Sequence, residues 1–123
     1  MKKTFGEYIS EKRLEKNITL RNFSRMIDIS PEYLSKLENN LRSAPKDVIL
    51  EKIAIKLFLN VEERERLFDL AAESKANLSL ASDLVEYICN NEIVHKTLRI
   101  AKRCKLTTEE WREIYDNIAE KHI

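Results

Sequence analysis

The feature that most limits the fold of this 123-residue chain is its single glycine, Gly6, which is accompanied by only two prolines, Pro31 and Pro45. Glycine supplies the tight turns that join short antiparallel strands, so a chain almost without it is poorly suited to a sheet built from hairpins. Charged residues make up 35% of the chain, and apolar residues recur at helical spacing rather than in alternation. We therefore predict an all-α fold.

Helix-start signals place the first two helices. Thr4 and Glu7 have the spacing of a capping box, in which each side chain binds the other residue's backbone N–H, and they predict a helix over about residues 5–16. Thr19 is a typical N-cap residue and predicts a second helix over about residues 20–27. In both segments one helical face carries the apolar residues, as a helix packed on one side requires.

The third predicted helix begins with Ser30 as N-cap and Pro31 at the first helical position, where a missing N–H costs nothing, and it extends to about Asn39. Leu34 and Leu37 share one side, which we expect to face the core. The other side carries short or flexible polar side chains, as a helix needs if it is to enter a DNA major groove about 12 Å wide. Two short helices joined by a tight turn predict a helix-turn-helix.

A fourth helix is predicted to begin at Pro45, and a fifth follows Asn60, which has the capping-box spacing with Glu63. Apolar residues of these two segments are expected to face the core. In the fourth they are Val48, Ile49, Ile53 and Leu57, and in the fifth they are Leu67, Leu70 and Ala71.

The composition of residues 74–81 indicates a linker, and three more helical patterns follow it. The last of them is opened by a Thr107–Glu110 capping box. We therefore predict a DNA-binding domain over residues 1–74 and a helical region of about three helices over residues 80–123, which is expected to mediate dimerisation or partner binding. The apolar stripes of this region are Leu84, Val85 and Ile88, then Val94, Leu98 and Ala101, then Trp111, Ile114, Tyr115 and Ile118.

The segment 19–40, TLRNFSRMIDISPEYLSKLENN, resembles the helix-turn-helix of the lambda-repressor/Cro-like family, also called the xenobiotic-response-element (XRE) family. The helix caps, the core positions and the spacing between them all match the pattern of this family. Residues 42–54 and 62–67 resemble the fourth and fifth helices of that family. The resemblance covers about residues 4–73 and implies a five-helix DNA-binding domain.

The resemblance also implies roles for particular residues. Those that match base-contacting positions are Pro31, Glu32, Ser35 and Lys36. Those that match or adjoin phosphate-contacting positions are Thr19, Arg21, Tyr33, Asn39 and Arg42. Arg13 and Glu38 match an internal ion pair that ties the first helix to the end of the third. For Glu32 and Lys36 the alternative is an exposed ion pair four residues apart on one helix.

The chain departs from the family's usual pattern at two turns and within the second helix. Asp28 and Asn40 stand where glycine is common, and we expect the turns to keep their shape because Asp and Asn tolerate left-handed backbone. Ser24 replaces the usual alanine, so we expect it to be buried and hydrogen-bonded to the preceding turn. Leu20 replaces the usual glutamine, which removes one expected polar contact with DNA.

The net charge of +1 hides an asymmetry along the chain. Residues 1–60 contain 12 Lys and Arg against 8 Asp and Glu, a net charge of +4, whereas residues 61–123 contain 10 against 13, a net charge of −3. Local charge attracts phosphate, so this split favours DNA binding by the N-terminal half. Arg25 adds to that charge and is interpreted as a further phosphate contact, with plain solubilising charge as the alternative.

The sequence offers no support for enzymatic chemistry, a metal site or a cofactor. It contains no nucleophile–base constellation and no glycine-rich phosphate loop. His95 and His122 are isolated, which favours surface histidines, and Cys89 and Cys104 are interpreted as buried, reduced thiols.

No apolar run is long enough to span a bilayer and the N-terminus is unlike a signal peptide, so we expect a cytoplasmic protein without a membrane partner.

These observations predict a sequence-specific transcriptional regulator, acting as a repressor, that binds double-stranded DNA as a homodimer through residues 30–39. The alternative is an antitoxin, inhibitor or adaptor that binds a protein partner through the C-terminal helices. Exposed apolar residues in the C-terminal region are the feature that favours the alternative.

Overall fold

The computed structural model of the chain describes residues 3–75 and 80–123, and in those ranges it contains helices and turns but no strand. The prediction of an all-α fold is therefore confirmed. The helices are α1 Phe5–Glu15, α2 Leu20–Met26, α3 Pro31–Glu38, α4 Asp47–Lys56, α5 Val61–Glu73, α6 Ser82–Cys89, α7 Glu92–Arg103 and α8 Thr108–His122.

The chain divides into two compact units, Met1–Val85 and Glu86–Ile123. The linker was predicted within residues 74–81, of which residues 76–79 lie outside the described part of the chain. Ala81, at the end of that segment, is buried in the core of the first unit, and this unit extends through the first turn of α6.

Five of the predicted helix starts are confirmed at the level of single hydrogen bonds. Each cap side chain accepts the backbone N–H of the residue three positions later, at 2.8 to 3.2 Å. Three of the five caps are full capping boxes, closed by a glutamate that binds back to the cap. The caps are Thr4, Thr19, Ser30, Asn60 and Thr107.

Five helices end in the same way, and none of them uses glycine. After each helix one residue has a positive φ, between 52° and 60°. Paired backbone hydrogen bonds close the turn in the Schellman pattern, as in Asn40 N–H to Leu37 O and Leu41 N–H to Lys36 O. The left-handed backbone expected at Asp28 and Asn40 is confirmed. The positive-φ residues are Asn17, Asp28, Asn40, Phe58 and Lys105.

The single glycine, Gly6, lies inside α1 and allows that helix to pack closely against α3. A Cβ at Gly6 would come within 2.4 Å of the Leu37 carbonyl oxygen and 2.6 Å of the Glu38 carbonyl oxygen. Real Cβ atoms do not approach backbone that closely, so only glycine lets α1 cross the end of α3 at this distance. The Gly6 N–H also donates to Asn40 Oδ1, at 3.2 Å.

The core of the first unit lies among α1 to α5. Helix α1 packs on α3 and α5, α2 packs on α3, and α4 packs on α5. As predicted, Leu34 and Leu37 of α3 face this core and are fully buried, as is Phe23 of α2. The other fully buried apolar side chains are Ile9, Ile27, Ile53, Leu57, Leu67, Leu70 and Phe68.

Two details of the predicted fourth helix are wrong. Helix α4 begins at Asp47, because Lys46 has extended backbone and serves as the N-cap, which leaves Pro45 outside the helix. Val48, predicted to face the core, is 67% exposed. The buried stripe is instead Leu50, Ile53, Ala54 and Leu57. The last three follow Leu50 by three, four and seven residues, so all four lie on one face of the helix.

The second unit places its predicted apolar stripes on helices but does not bury them. Ala101 is buried, whereas α8 contains no buried residue. Trp111 is 38% exposed and Tyr115 is 62% exposed. The prediction of buried cysteines is wrong, because Cys89 and Cys104 are both exposed: helices α6 to α8 bury only Ala101 among their residues and so enclose no core around the thiols. Within the described residues no helix has the length and apolar content that a bilayer span demands.

Candidate nucleic-acid interface

The outer side of α3 carries the candidate base-contacting residues. Glu32 and Lys36 are exposed, and Pro31 and Ser35 are half-buried. The Ser30 hydroxyl oxygen accepts the Tyr33 N–H at 3.1 Å, which fixes the start of the helix. Because Leu34 and Leu37 bury the inner side completely, the polar side of α3 is directed outward as one face.

An internal ion pair holds the far end of α3. Arg13 Nε donates to Glu38 Oε2 at 2.8 Å and Arg13 Nη2 donates to Glu38 Oε1 at 2.9 Å, so the two planar groups meet in a bidentate pair. Arg13 Nη1 donates in addition to the Ile18 carbonyl oxygen at 2.8 Å. Hydrogen bonding to Glu38 raises the pKa of Arg13 above its ordinary value. The pair therefore ties α3 to α1 and to the loop before α2.

The first turn of α2 presents two of the candidate phosphate-contacting residues. Thr19 and Arg21 are both exposed. The Thr19 hydroxyl oxygen accepts the Asn22 N–H at 3.1 Å, which leaves its own O–H available as a donor. Ser24 is 1% exposed and its hydroxyl donates to the Arg21 carbonyl oxygen at 2.7 Å, as expected from the sequence.

Arg21 and Arg25 border one shallow depression together with Pro31 and Ile29. The structure thus brings Arg21 and Arg25 of α2 next to Pro31, the first residue of α3. Guanidinium groups at such an edge are suited to bidentate hydrogen bonding with phosphate oxygens.

Other candidate phosphate contacts have different surroundings. Asn39 is exposed, but its amide nitrogen donates to the Ser35 carbonyl oxygen at 2.8 Å, so it closes the last turn of α3. Tyr33 is half-buried and packs against the core. Arg42 is exposed in the loop after α3 and lines a cavity with Asn40 and Thr4, which shares no lining residue with the depression beside Arg21.

One charged contact beside this surface is not evident from the sequence. Lys52 Nζ lies 3.0 Å from Asp28 Oδ2, so α4 carries a cation next to the turn between α2 and α3. The residues are 24 positions apart, and no local pattern pairs them. Among the described residues no three His, Cys, Asp or Glu side chains are grouped as metal ligands.

Comparisons with known proteins agree with this geometry. Residues 9–64 match a family model described as helix-turn-helix. The fold is similar to the solved structure of a SinR protein/SinI protein complex, with a TM-score of 0.50, 24% sequence identity, and coverage of 96% of this chain and 97% of that chain. None of the curated proteins compared with the chain is significantly similar to it. The segment 9–64, with α2 and α3 at its centre, is a helix-turn-helix domain of the lambda-repressor/Cro-like, or XRE, family.

Proposed function

We propose that the chain is a sequence-specific transcriptional regulator that binds double-stranded DNA as a homodimer and reads base edges with α3. We further propose that it acts as a repressor and works in the cytoplasm. The observation that carries the proposal is the outer face of α3. It combines an exposed polar surface with an inner side locked by Leu34, Leu37 and the Arg13–Glu38 pair. A reading helix must be rigid and free on one side, because base contacts require side chains at fixed positions in the groove.

The side chains of this face suit direct readout. A lysine at the position of Lys36 can donate to the O6 and N7 acceptors of guanine, and Glu32 can accept from the N4 amino group of cytosine. Arg21, Arg25, Thr19 and Arg42 are proposed to hold the phosphate backbone on either side. Such contacts give affinity without sequence information and make binding depend on salt.

A dimer is proposed because one reading helix contacts only a few base pairs. Two half-sites about 34 Å apart supply specific affinity when a two-fold dimer presents two such helices. The second unit supports this role, since Trp111, Ile114, Tyr115 and Ile118 of α8 leave an apolar stripe between 38% and 62% exposed. Apolar faces of that kind are typical of surfaces that associate.

Lys36→Ala tests the reading role of α3. The sites that the Lys36→Ala variant selects from a random duplex library should vary more at one base position. At that position the variant should discriminate against the wrong base by about 1–3 kcal/mol less than the unchanged chain does. The matched control is Lys75→Ala, which removes the same charge from an exposed lysine just after α5. Unchanged base preference in Lys36→Ala would mean that α3 is not the reading helix.

Arg42→Ala tests the backbone contacts separately. It should weaken binding to all sequences alike and reduce the slope of log affinity against log salt by about one. Arg66→Ala, an exposed arginine on α5, serves as the control for the lost charge. If both arginine variants bind like the unchanged chain, Arg42 makes no phosphate contact.

The second candidate function is that of an antitoxin, inhibitor or adaptor that binds a protein partner through the C-terminal helices. The exposed apolar stripe of α8 favours it as much as it favours a homodimer. The structurally similar SinR protein/SinI protein assembly is a complex of two proteins, which is compatible with this candidate. Sedimentation of the full chain separates the two: a monomer at micromolar concentration that selects no duplex would favour the partner-binding function.

A further inference from the structure

A cavity of about 380 Å³ lies between the loop that follows α3, the start of α1 and the end of α5. All three elements belong to the first unit, Met1–Val85. Protein pockets that hold small organic ligands begin at about 300 Å³. The cavity therefore has room for one compact molecule.

Hydrogen bonds to the rest of the domain hold the walls of this cavity in place. At one end of the loop Gly6 N–H donates to Asn40 Oδ1 at 3.2 Å, and at the other end Ala44 N–H donates to Ser74 Oγ at 2.9 Å. The Ser74 hydroxyl in turn donates to the Ala71 carbonyl oxygen at 2.7 Å. The loop is thus tied to both α1 and α5, and a site that is already formed binds a ligand without the cost of ordering its walls.

The lining of the cavity combines buried apolar side chains with an excess of positive charge. Phe5 and Leu70 are 3% and 1% exposed and supply the apolar part. Among the described lining residues two cations, Lys3 and Arg42, stand against one carboxylate, Glu73. A lining of this composition favours a small molecule with an anionic group at one end and a short apolar body at the other.

Arg42 is the lining cation best placed to receive an anion. The Lys3 ammonium is paired with Glu11, whereas no carboxylate of residues 3–75 or 80–123 pairs with the exposed Arg42. The backbone N–H groups of Arg42 and Ser43 also lack an acceptor among those residues. A guanidinium beside backbone N–H groups supplies the donors that a carboxylate or a phosphate requires.

We propose that this cavity binds a small organic anion, a carboxylate or a phosphate ester with a short apolar body, and that the bound anion weakens binding to DNA through Arg42. The second part rests on the proposed function, in which Arg42 contacts a phosphate of the duplex. A guanidinium engaged by the anion of the ligand is partly neutralised, so its attraction for a DNA phosphate falls. Linkage makes the effect reciprocal, and DNA must weaken binding of the anion by the same factor.

The single glycine provides a direct test in the full chain without DNA. Labelling with ¹⁵N-glycine gives one backbone amide signal, that of Gly6, whose N–H binds Asn40 in the cavity wall. Hexanoate and hexyl phosphate are the probes, and 1-hexanol, which has the same apolar body without the charge, is the control at the same ionic strength. We expect at least one anion to shift the signal with half-saturation below about 10 mM, and the alcohol to leave it in place. The anion that binds more tightly identifies the head group.

Arg42→Ala should raise the half-saturating concentration of that anion by at least about tenfold, because a charge-assisted contact is lost. Arg66→Ala removes the same charge from an exposed position on α5 outside the cavity lining and should leave the titration unchanged. No shift with either anion, an equal shift with 1-hexanol, or an unaltered titration in Arg42→Ala would overturn the site.

Titration of a selected duplex tests the effect on DNA separately. At a saturating concentration of the tighter anion the unchanged chain should bind the duplex at least about fivefold more weakly, whereas 1-hexanol should have no effect. Arg42→Ala should lose this sensitivity. An anion that shifts the Gly6 signal without changing duplex affinity would overturn the regulatory part of the proposal. Anion binding in a chain that selects no duplex would retain the site and remove the proposed function.

Discussion

The two compact units of this chain form helices equally well but differ in what those helices bury. In Met1–Val85, α1 to α5 surround a core in which Phe23 is fully buried. In Glu86–Ile123, α8 runs over 15 residues behind a complete capping box and yet contains no buried residue. Helix formation and burial are thus separate properties here. Caps and periodicity produce helices in both units, whereas only the first has enough helices to enclose its apolar faces.

The two units therefore differ in the source of their stability. Marginal helices gain most of their stability from packing of an apolar face, and the first unit supplies that packing from within. The second unit leaves its face available for another surface. We therefore expect substitutions in the first unit to act on folding and substitutions in the second to act on association.

The largest expected effect is that of Phe23→Ala in the first unit. Removing a fully buried ring loses its transfer free energy and leaves a cavity, so the free energy of unfolding should fall by about 3–5 kcal/mol. Denaturant unfolding measures it, with Tyr115→Ala, 62% exposed on α8, as the aromatic control in the second unit. Equal losses in the two variants would erase the distinction between the units.

Glu38→Gln should have the next largest effect. The carboxylate is 7% exposed and receives two hydrogen bonds from Arg13, so the change leaves a buried guanidinium without its counter-charge. We expect a loss of about 1–3 kcal/mol in the free energy of unfolding, together with weaker binding to DNA because α3 loses its anchor. Glu65→Gln, an exposed glutamate on α5, provides the comparison. A Glu38 variant as stable as the Glu65 variant would contradict the anchoring role.

Glu63→Gln should change the free energy of unfolding of the first unit by less than about 1 kcal/mol, because ion pairs between partly exposed side chains contribute little. Lys12 Nζ lies 2.8 Å from Glu63 Oε2, and this hydrogen bond lowers the pKa of Glu63 below its ordinary value of 4.5. A lowered carboxyl pKa stabilises the fold above pH 4.5, and the contribution is lost as pH falls below that value.

The measurement is the thermal unfolding midpoint between pH 6 and pH 2. The unchanged chain should lose stability more steeply below about pH 4.5 than Glu63→Gln does. Parallel curves for the two proteins would show that the Lys12–Glu63 pair contributes nothing to acid stability.

The smallest expected effect on folding is that of Trp111→Ala in the second unit. The ring is 38% exposed on α8, so at concentrations where the chain is monomeric the free energy of unfolding of the first unit should change by less than about 0.5 kcal/mol. Association of the full chain, measured by sedimentation, should weaken by at least about tenfold. A variant that associates normally would exclude Trp111 from the associating surface.

Much of the fold was predictable because its signals are local. Thr4, Thr19, Ser30, Asn60 and Thr107 bind backbone groups three residues away, so their residue type and spacing are enough to place five helix starts. The buried sides of α3 and α5 follow from the helical period in the same way. The candidate reading face of α3 was therefore predictable as the complement of its buried side.

Other features depend on contacts between distant parts of the chain. The Asp28–Lys52 pair joins residues in different helices, which no local pattern pairs. The exposure of Val48 depends on which side of α4 meets α5, and the exposure of Cys89 and Cys104 depends on how little of the second unit is covered. Apolar residues that repeat at helical spacing show that one face of a helix is suited to burial, but they do not show whether another surface is present to cover it.

Local interactions along the chain are thus enough to predict that it is helical, where most of its helices begin, and that residues 19–40 form a helix-turn-helix, because caps, turns and helical period involve near neighbours. Three other features become visible only in the folded molecule: Gly6 is needed for packing rather than for a turn, Phe58 is exposed in left-handed backbone, and α8 contains no buried residue. Those outcomes depend on how closely helices approach one another and how much surface they cover, which neighbouring residues along the chain do not specify.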